Sequence, residues 1–406
     1  MARILVLDGH SAATLAITRS LGRAKYWVAV GSNRGIDAPA ELSRYCRLST
    51  RYPVPYEDAS GFVETVLEFA RKNEIELIIP VTDFTIAPLS KNRHQFQGVS
   101  RLALGADAAI ELAADKFRTI SLARELRIPV PETVLVSSLE DLDRAAPNWD
   151  FPVVVKDRFS VRWAGNRAVL GSVAYAYSIE DLKKKVGHRL KEAGDVLIQR
   201  FVQGAGIGFS CLAAEGKVWL PFSWLRVRET DPRGSGSSAQ LSIPLTPEVE
   251  EASRALVTQA GLGGICMVEF KQPHDGGPQA LMEINARPWG SLPLPIACGI
   301  NYPLLWVEWL LTGKLPPERI EYKKGILCRR LVNELTHLEH TFHGTPPGWP
   351  LPYPGFFETL LKISLPWYPG MHYADFWFRD PSPGLSGLGS WFSGHLRQRF
   401  KSKSSA

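Results

Sequence analysis

Three oxygen-bearing side chains in the second half of the chain are spaced for metal chemistry. In the segment 267–291, MVEFKQPHDGGPQALMEINARPWGS, two strand-forming runs flank a Gly/Pro-rich turn. Glu283 and Asn285 stand two residues apart on the second run, so their side chains leave the same face, and Glu269 on the first run can oppose them. Carboxylate and amide oxygens are hard ligands, suited to Mg2+ or Mn2+ bridging a polyphosphate and unsuited to zinc. Arg287 continues the alternation, where a planar guanidinium can hold a phosphate or an anhydride bidentately. Lys271, two residues beyond Glu269, either joins that phosphate shell or sits on the surface. The competing reading makes the same residues solvent-facing cross-strand ion pairs. The ordered string of Glu, Lys, Glu, Asn and Arg beside otherwise apolar strand positions favours a site.

The elements that must position these residues come in two styles. Apolar Ile4–Leu7, a helix-like stretch over 11–21, the run Trp27–Val30, helical spacing of Phe62, Val66 and Phe69, and the run Leu77–Val81 make βαβαβ grammar. That grammar predicts a small parallel sheet wrapped by helices. Its first turn reads Asp8-Gly9-His10-Ser11-Ala12-Ala13 and lacks GxGxxG, which argues against a dinucleotide-dependent oxidoreductase. From Ala113 the pattern changes to a charged amphipathic helix, a Pro-marked exit at Pro129 and Pro131, and a strand. A strand at 151–156, an irregular Arg-containing loop at 157–171, a lysine-rich helix at 180–192 and a strand at 196–202 then predict a small α+β subdomain. A larger antiparallel sheet is expected over 208–284, interrupted by a polar Gly/Ser loop at 231–238 and a helix at 247–261. Asp83, after the third strand of the first segment, either meets an amine at the strand edge or caps a helix.

With these residues in place, MVEFK followed by LMEINARPWGS resembles the closing motif of the ATP-grasp superfamily, in which two acidic residues and an Asn hold magnesium. The resemblance extends upstream. Asp115-Lys116 is similar to the lysine-bearing helix before the nucleotide site, and PVVVK to the strand whose lysine, here Lys156, reaches the α- and β-phosphates. VLIQRFVQG is similar to the hinge strand facing adenine, making Gln199, Arg200, Phe201 and Val202 the candidate contacts. RVRETDPRGSGSS resembles the loop that positions phosphate and acceptor; Arg226 and Arg228 within it either bind the substrate carboxylate or neutralise Glu229.

The resemblance implies a mixed α/β and α+β fold: an N-terminal Rossmann-like pre-ATP-grasp domain (1–112) followed by a two-lobed ATP-grasp fold (113–315). Within the latter, 113–204 is expected as the small subdomain and hinge and 205–315 as the metal-binding lobe, leaving 316–406 as an extension rich in Pro and aromatics. It further implies an ATP- and Mg2+-dependent (or Mn2+-dependent) carboxylate–amine ligase, which activates a carboxylate as an acyl phosphate for attack by an amine. The alternatives are a non-catalytic Mg-ATP sensor and a carbamoyl-phosphate-synthase-like kinase. Two departures stand out: the loop after Lys156 carries Arg158, Arg162 and Arg167 in place of dense glycines, and Arg200 replaces a commonly acidic hinge residue.

Composition sets the outer bounds. The chain has 406 residues, 45% hydrophobic and 22% charged, enough for roughly two or three packed domains. The net charge of +6 is spread along the chain, which suits phosphates and gives no indication of nucleic-acid binding. Five dispersed cysteines without a CxxC pair indicate neither a zinc cage nor a disulfide framework. No secretory signal opens the sequence, and a cytoplasmic location is expected. The charge-free run 288–307 approaches the ~20 residues of a membrane span, but its prolines and glycines predict a buried loop and helix instead. The aromatics after Thr341 are expected to pack as a C-terminal appendage. The basic end, HLRQRFKSKSSA, is expected to fray and at most to assist contact with an anionic membrane surface. A homodimer is expected from the resemblance alone.

Overall fold

A computed structural model describes residues 1–145, 149–234, 236–364 and 370–404, without the side chains of Ala145, Ala164, Ala193 and 395–404. The first unit contains β1 (Arg3–Val6), α1 (Ala12–Arg23), β2 (Trp27–Asn33), β3 (Leu48–Tyr52), α2 (Ala59–Lys72), β4 (Leu77–Ile79), α3 (Asp83–Lys91) and β5 (Arg101–Leu102). These strands form a parallel sheet in the order β3-β2-β1-β4-β5. The central strands are apolar on both faces because helices cover both: Ile4, Leu5, Val6, Leu77, Ile78 and Ile79 are fully buried. Asp8, at the end of β1, accepts hydrogen bonds from the backbone of Val81 and Thr82 and from the Thr85 hydroxyl, and so fastens the start of α3.

Next come α4 (Asp107–Ala114), α5 (Lys116–Glu125), β6 (Thr133–Val136), α6 (Leu139–Ala145), β7 (Val153–Asp157), β8 (Val161–Ala164), β9 (Arg167–Leu170), β10 (Val173–Ala176), α7 (Ile179–Ala193) and β11 (Val196–Arg200). Strands β10-β7-β11-β6 make a four-stranded antiparallel sheet. The segment expected as an irregular loop after Lys156 is instead the hairpin β8–β9, whose two-residue turn places Gly165 at φ +62. Its tip is docked on the first unit: Asn166 accepts from the Ser60 backbone and hydroxyl and donates to Asp58, while Ala168 N–H donates to Tyr56 O.

The remainder comprises β12 (Gly204–Ala214), β13 (Lys217–Glu229), β14 (Ser237–Ile243), α8 (Pro247–Gln259), β15 (Gly264–Pro273), β16 (Ala280–Asn285), α9 (Pro293–Cys298), α10 (Tyr302–Thr312), β17 (Leu327–Arg329), α11 (Leu331–His343), α12 (Phe356–Ser364), β18 (Met371–Tyr373) and α13 (Ser382–Ser404). Seven strands join in the order β16-β15-β12-β13-β14-β17-β18, antiparallel except for β17–β18. Gly208 lets β12 and β13 approach: a Cβ there would lie 1.9 Å from Trp224, itself buried in the core.

The charge-free run 288–307 resolves into α9, a turn and the start of α10, packed between the parallel sheet and the large sheet through Trp289, Leu294, Tyr302 and Trp306. Among the described residues no helix is long and apolar enough to cross a membrane. The C-terminal segment is tied in by buried charge. Arg19 of α1 pairs with Asp380 at 2.8 Å, and fully buried Glu334 accepts from both Arg228 and Arg329. Its aromatics divide. Trp349 is buried, whereas Phe342, Phe357 and Phe378 are exposed, so the expected packing holds for only part of them. The stretch 365–369 and the tail side chains from His395, on which the expectations of a packed aromatic segment and a membrane-assisting end partly rested, lie outside the described residues.

Candidate nucleotide and metal site

The alternation read from the sequence survives in three dimensions. Glu269 of β15 stands directly across from Glu283 of β16, and Met267 across from Asn285. Glu283 accepts a 2.8 Å hydrogen bond from the Asn285 amide, which leaves the amide oxygen as a donor atom toward a cation. Glu269 receives the Arg226 guanidinium at 3.0 Å on both oxygens. Burial raises the Glu269 carboxyl above its ordinary value, with Arg226 opposing and Glu283 reinforcing the shift. Among the described residues no group of three or more His, Cys, Asp or Glu is placed to hold a metal. The oxygen set is therefore two opposed carboxylates and an amide, a hard set that fits Mg2+ or Mn2+.

Facing these oxygens are partly buried cations. Lys156 on β7 donates to Gln199 on β11 at 2.8 Å, and Gln199 is held in turn by Thr133 on β6 at 2.9 Å. Lys156 has no carboxylate within ion-pair distance among the described residues, and burial lowers its ammonium to about 8, with Lys116 adding to the depression. Lys116, the first residue of α5, donates to Ser160 at 2.9 Å and is also lowered by burial. Lys271 donates to Gly204 O and lies 3.6 Å from Glu229. An open cleft of about 790 Å3 separates the small and large sheets, lined by Lys156, Phe201, Val202, Glu269, Lys271 and Glu283. Depressed lysines opposite paired carboxylates make a charge pattern that a polyphosphate and a divalent cation together would complete.

Residues 192–333 match a family model described as "ATP-grasp in the biosynthetic pathway with Ter operon". In fold, the chain is similar to an L-amino acid ligase from Bacillus licheniformis, at TM-score 0.59 and 16% identity over 78% of each chain. It is likewise similar to N5-carboxyaminoimidazole synthetase from Staphylococcus aureus complexed with ADP, at TM-score 0.60 and 18% identity over 85% of this chain and 86% of that one. Residues 192–333 thus match an ATP-grasp family model, within a chain that shares the fold of these ligase and synthetase structures. Among curated proteins, the carbamoyl phosphate synthase large chain of Thermotoga petrophila is 26% identical over 276 residues, 64% of this chain and 24% of that protein. The counterpart from Clostridium acetobutylicum is 22% identical over 263 residues, 63% of this chain and 24% of that one. The chain thus spans about a quarter of the length of these curated relatives.

Not every residue singled out in the sequence reaches the ATP-grasp cleft with its side chain. Arg228 is turned away by a bulge between Arg226 and Arg228, and pairs with Glu334 at 2.5 Å instead of binding substrate or neutralising Glu229. Arg200 extends to the surface, where Glu132 and Asp150 hold it at 2.8 Å each. Gln199 spends its amide on Lys156 and Thr133, so its side chain positions a lysine. Arg287 lies past the end of β16 and contacts both Asp83 oxygens at 3.0 Å, joining the first unit to the metal-side strand. Asp83 is not the cap of α3, since that position is Thr82. Two of the arginines that follow Lys156 are engaged within the protein: Arg158, ahead of the β8–β9 hairpin, is held by Asp115 and Asp195, and Arg162 on β8 bonds Glu192 O.

Two features of the cleft go beyond the sequence reading, which has Glu229 only as a charge for Arg226 or Arg228 to neutralise. Glu229 stands between Arg226 at 3.3 Å and Lys271 at 3.6 Å, a third carboxylate in the charge network. Trp349 packs edge-on against Tyr175 at 5.4 Å and Phe201 at 5.8 Å between ring centroids, which places the C-terminal segment against the cleft wall. A carboxylate one and three residues from the predicted site arginines was the available signal for Glu229; nothing local marked Trp349.

Proposed function

We propose that this chain is an ATP-dependent ligase that activates a carboxylate as an acyl phosphate for attack by an amine, releasing ADP and phosphate. The observation that carries the reading is the opposition of Glu269 and Glu283, with Asn285 beside them, to the partly buried Lys156 across one cleft. Glu269, Glu283 and Asn285 would hold Mg2+ or Mn2+, which supplies charge neutralisation for the transferring phosphoryl group. Lys156 and Lys116 bind phosphate oxygens, and Gln199 orients the Lys156 ammonium. The backbone of Arg200, Phe201 and Val202 faces the adenine end, walled by Phe201. Arg226 favours the ionised form of Glu269 and aims it, and Lys271 offsets the charge of Glu229. Arg287 positions the metal-side strand against the first unit through Asp83. Catalysis in such a site is positioning and charge neutralisation, so no side-chain nucleophile is required.

The names of the L-amino acid ligase and synthetase neighbours support the ligase class, and the proposal keeps the division at 112, 204 and 315 expected from the sequence. The likeness to carbamoyl phosphate synthase large chains supports a second reading, a kinase acting on a carbamate-type acid. The test is ADP release from the chain with Mg-ATP and pooled carboxylates and amines, supplied separately and together. Release that needs both pools supports the ligase; release with acid alone favours the kinase; nucleotide binding without release under any combination sinks both in favour of a sensor.

A further inference from the structure

We propose that the small cavity beside Arg330 is the carboxylate-substrate subsite, and that it admits only a short acid. The inference rests on the ligase reading and deepens it. The cavity holds about 130 Å3 and is lined by Ser237, Gln240, Met267, Trp289, Cys328 and Arg330, among others. It shares Arg226, Gly236 and Glu269 with the large cleft, so an occupant would abut the carboxylates that face the polyphosphate.

Three polar atoms of residues in its wall, Arg330 Nε, Ser237 Oγ and Trp289 Nε1, are buried with no hydrogen-bond partner among the described residues. Such atoms occur at other places in the chain as well, and three of them belong to residues that line this one cavity. The indole and guanidinium nitrogens only donate and the hydroxyl can donate, so the missing group is an acceptor. Among the described residues no carboxylate lies within ion-pair distance of Arg330. Nearby Asp375 accepts instead from the backbone N–H groups of Leu331 at 3.1 Å and Val332 at 3.2 Å.

A shielded cation without a partner is costly, and an incoming carboxylate removes that cost while matching the planar fork of the guanidinium. The arginines the sequence offered for this task are otherwise engaged, Arg226 with Glu269 and Glu229, and Arg228 with Glu334. Size sets the class. A cavity needs about 10–15 Å3 to admit one water-sized group, so this one accommodates an acid of no more than about ten non-hydrogen atoms. Met267, Trp289 and Cys328 supply an apolar wall for a short aliphatic part, and Gln240 and Ser238 a polar one.

The test is isothermal titration of the full chain, saturated with magnesium and a non-hydrolysable ATP analogue, with glycolate, lactate, L-alanine and D-alanine, and with dodecanoate and a tripeptide as long acids. At least one short acid should bind saturably and both long acids should not. Arg330→Met should weaken that binding at least tenfold with nucleotide affinity unchanged, and Arg330→Lys should recover part of it. Failure of all the short acids, preference for a long one, or a full-strength Arg330→Met variant overturns the assignment. Failure of the analogue itself to bind would instead sink the ligase reading beneath it.

Discussion

Lys156 carries a charge that changes within the working pH range. Burial holds its ammonium at about 8 in the absence of nucleotide, and a bound polyphosphate favours the protonated form. Affinity for Mg-ATP should therefore be complete below about pH 8 and fall by up to about tenfold per pH unit above it. Titration from about pH 6.5 to about pH 9.5 should show that decline in the wild type and a weaker, flat profile in Lys156→Met; a flat wild-type profile would contradict the role. A second prediction concerns Arg226, whose removal leaves Glu269 buried beside Glu283 without its cation. Breaking such a pair from one side costs about 3–5 kcal/mol, so Arg226→Met should lose that much in urea unfolding near neutral pH. The sign of its pH dependence follows from Glu269, whose folded-state pKa is already raised and rises further without Arg226. Stability tied to the protonated carboxyl is present at low pH and lost as pH rises through the folded pKa, so the deficit should shrink in acid.

At the scale of elements, the β8–β9 hairpin is held to the first unit by Asn166, Ser60, Asp58 and the Ala168–Tyr56 backbone bond. Asn166→Ala removes the exposed side-chain bonds and should change global stability by no more than about 1–2 kcal/mol. Amide exchange over residues 161–170 should nonetheless quicken; unchanged protection there would show that the hairpin is held by something else. This hairpin also marks a limit of the sequence reading. Alternating Val161, Trp163, Ala168 and Leu170 around Gly165-Asn166 was a hairpin signal, but the arginines drew attention to phosphate chemistry instead. What was legible was local: the period of two that set Glu269 against Glu283, the parallel first sheet, and the turn-and-helix packing of 288–307. What was not legible depended on distant partners. Arg228 meets Glu334 across 106 positions and Arg287 meets Asp83 across 204, and the bulge that redirects Arg228 has no signature of its own.

Across the whole molecule, the elements around the cleft are tied together by contacts from three directions. Arg287–Asp83 ties the metal-side strand to the first unit, Asn166 ties the hairpin to it, and Trp349 ties the C-terminal segment to Tyr175 and Phe201. Trp349→Ala empties a largely buried indole site and should cost about 3–5 kcal/mol. It should also loosen the adenine end, raising the dissociation constant of Mg-ATP more than that of magnesium; an unaltered nucleotide affinity would reduce Trp349 to packing alone. The account as a whole turns on whether the paired carboxylates and the partly buried lysines act as one nucleotide–metal site. Isothermal titration of ATP into the full chain, with magnesium and with chelator, beside Glu283→Gln, measures this directly. The account predicts saturable binding that weakens at least tenfold without metal and in the variant. Binding indifferent to both, or no binding at all, would contradict it.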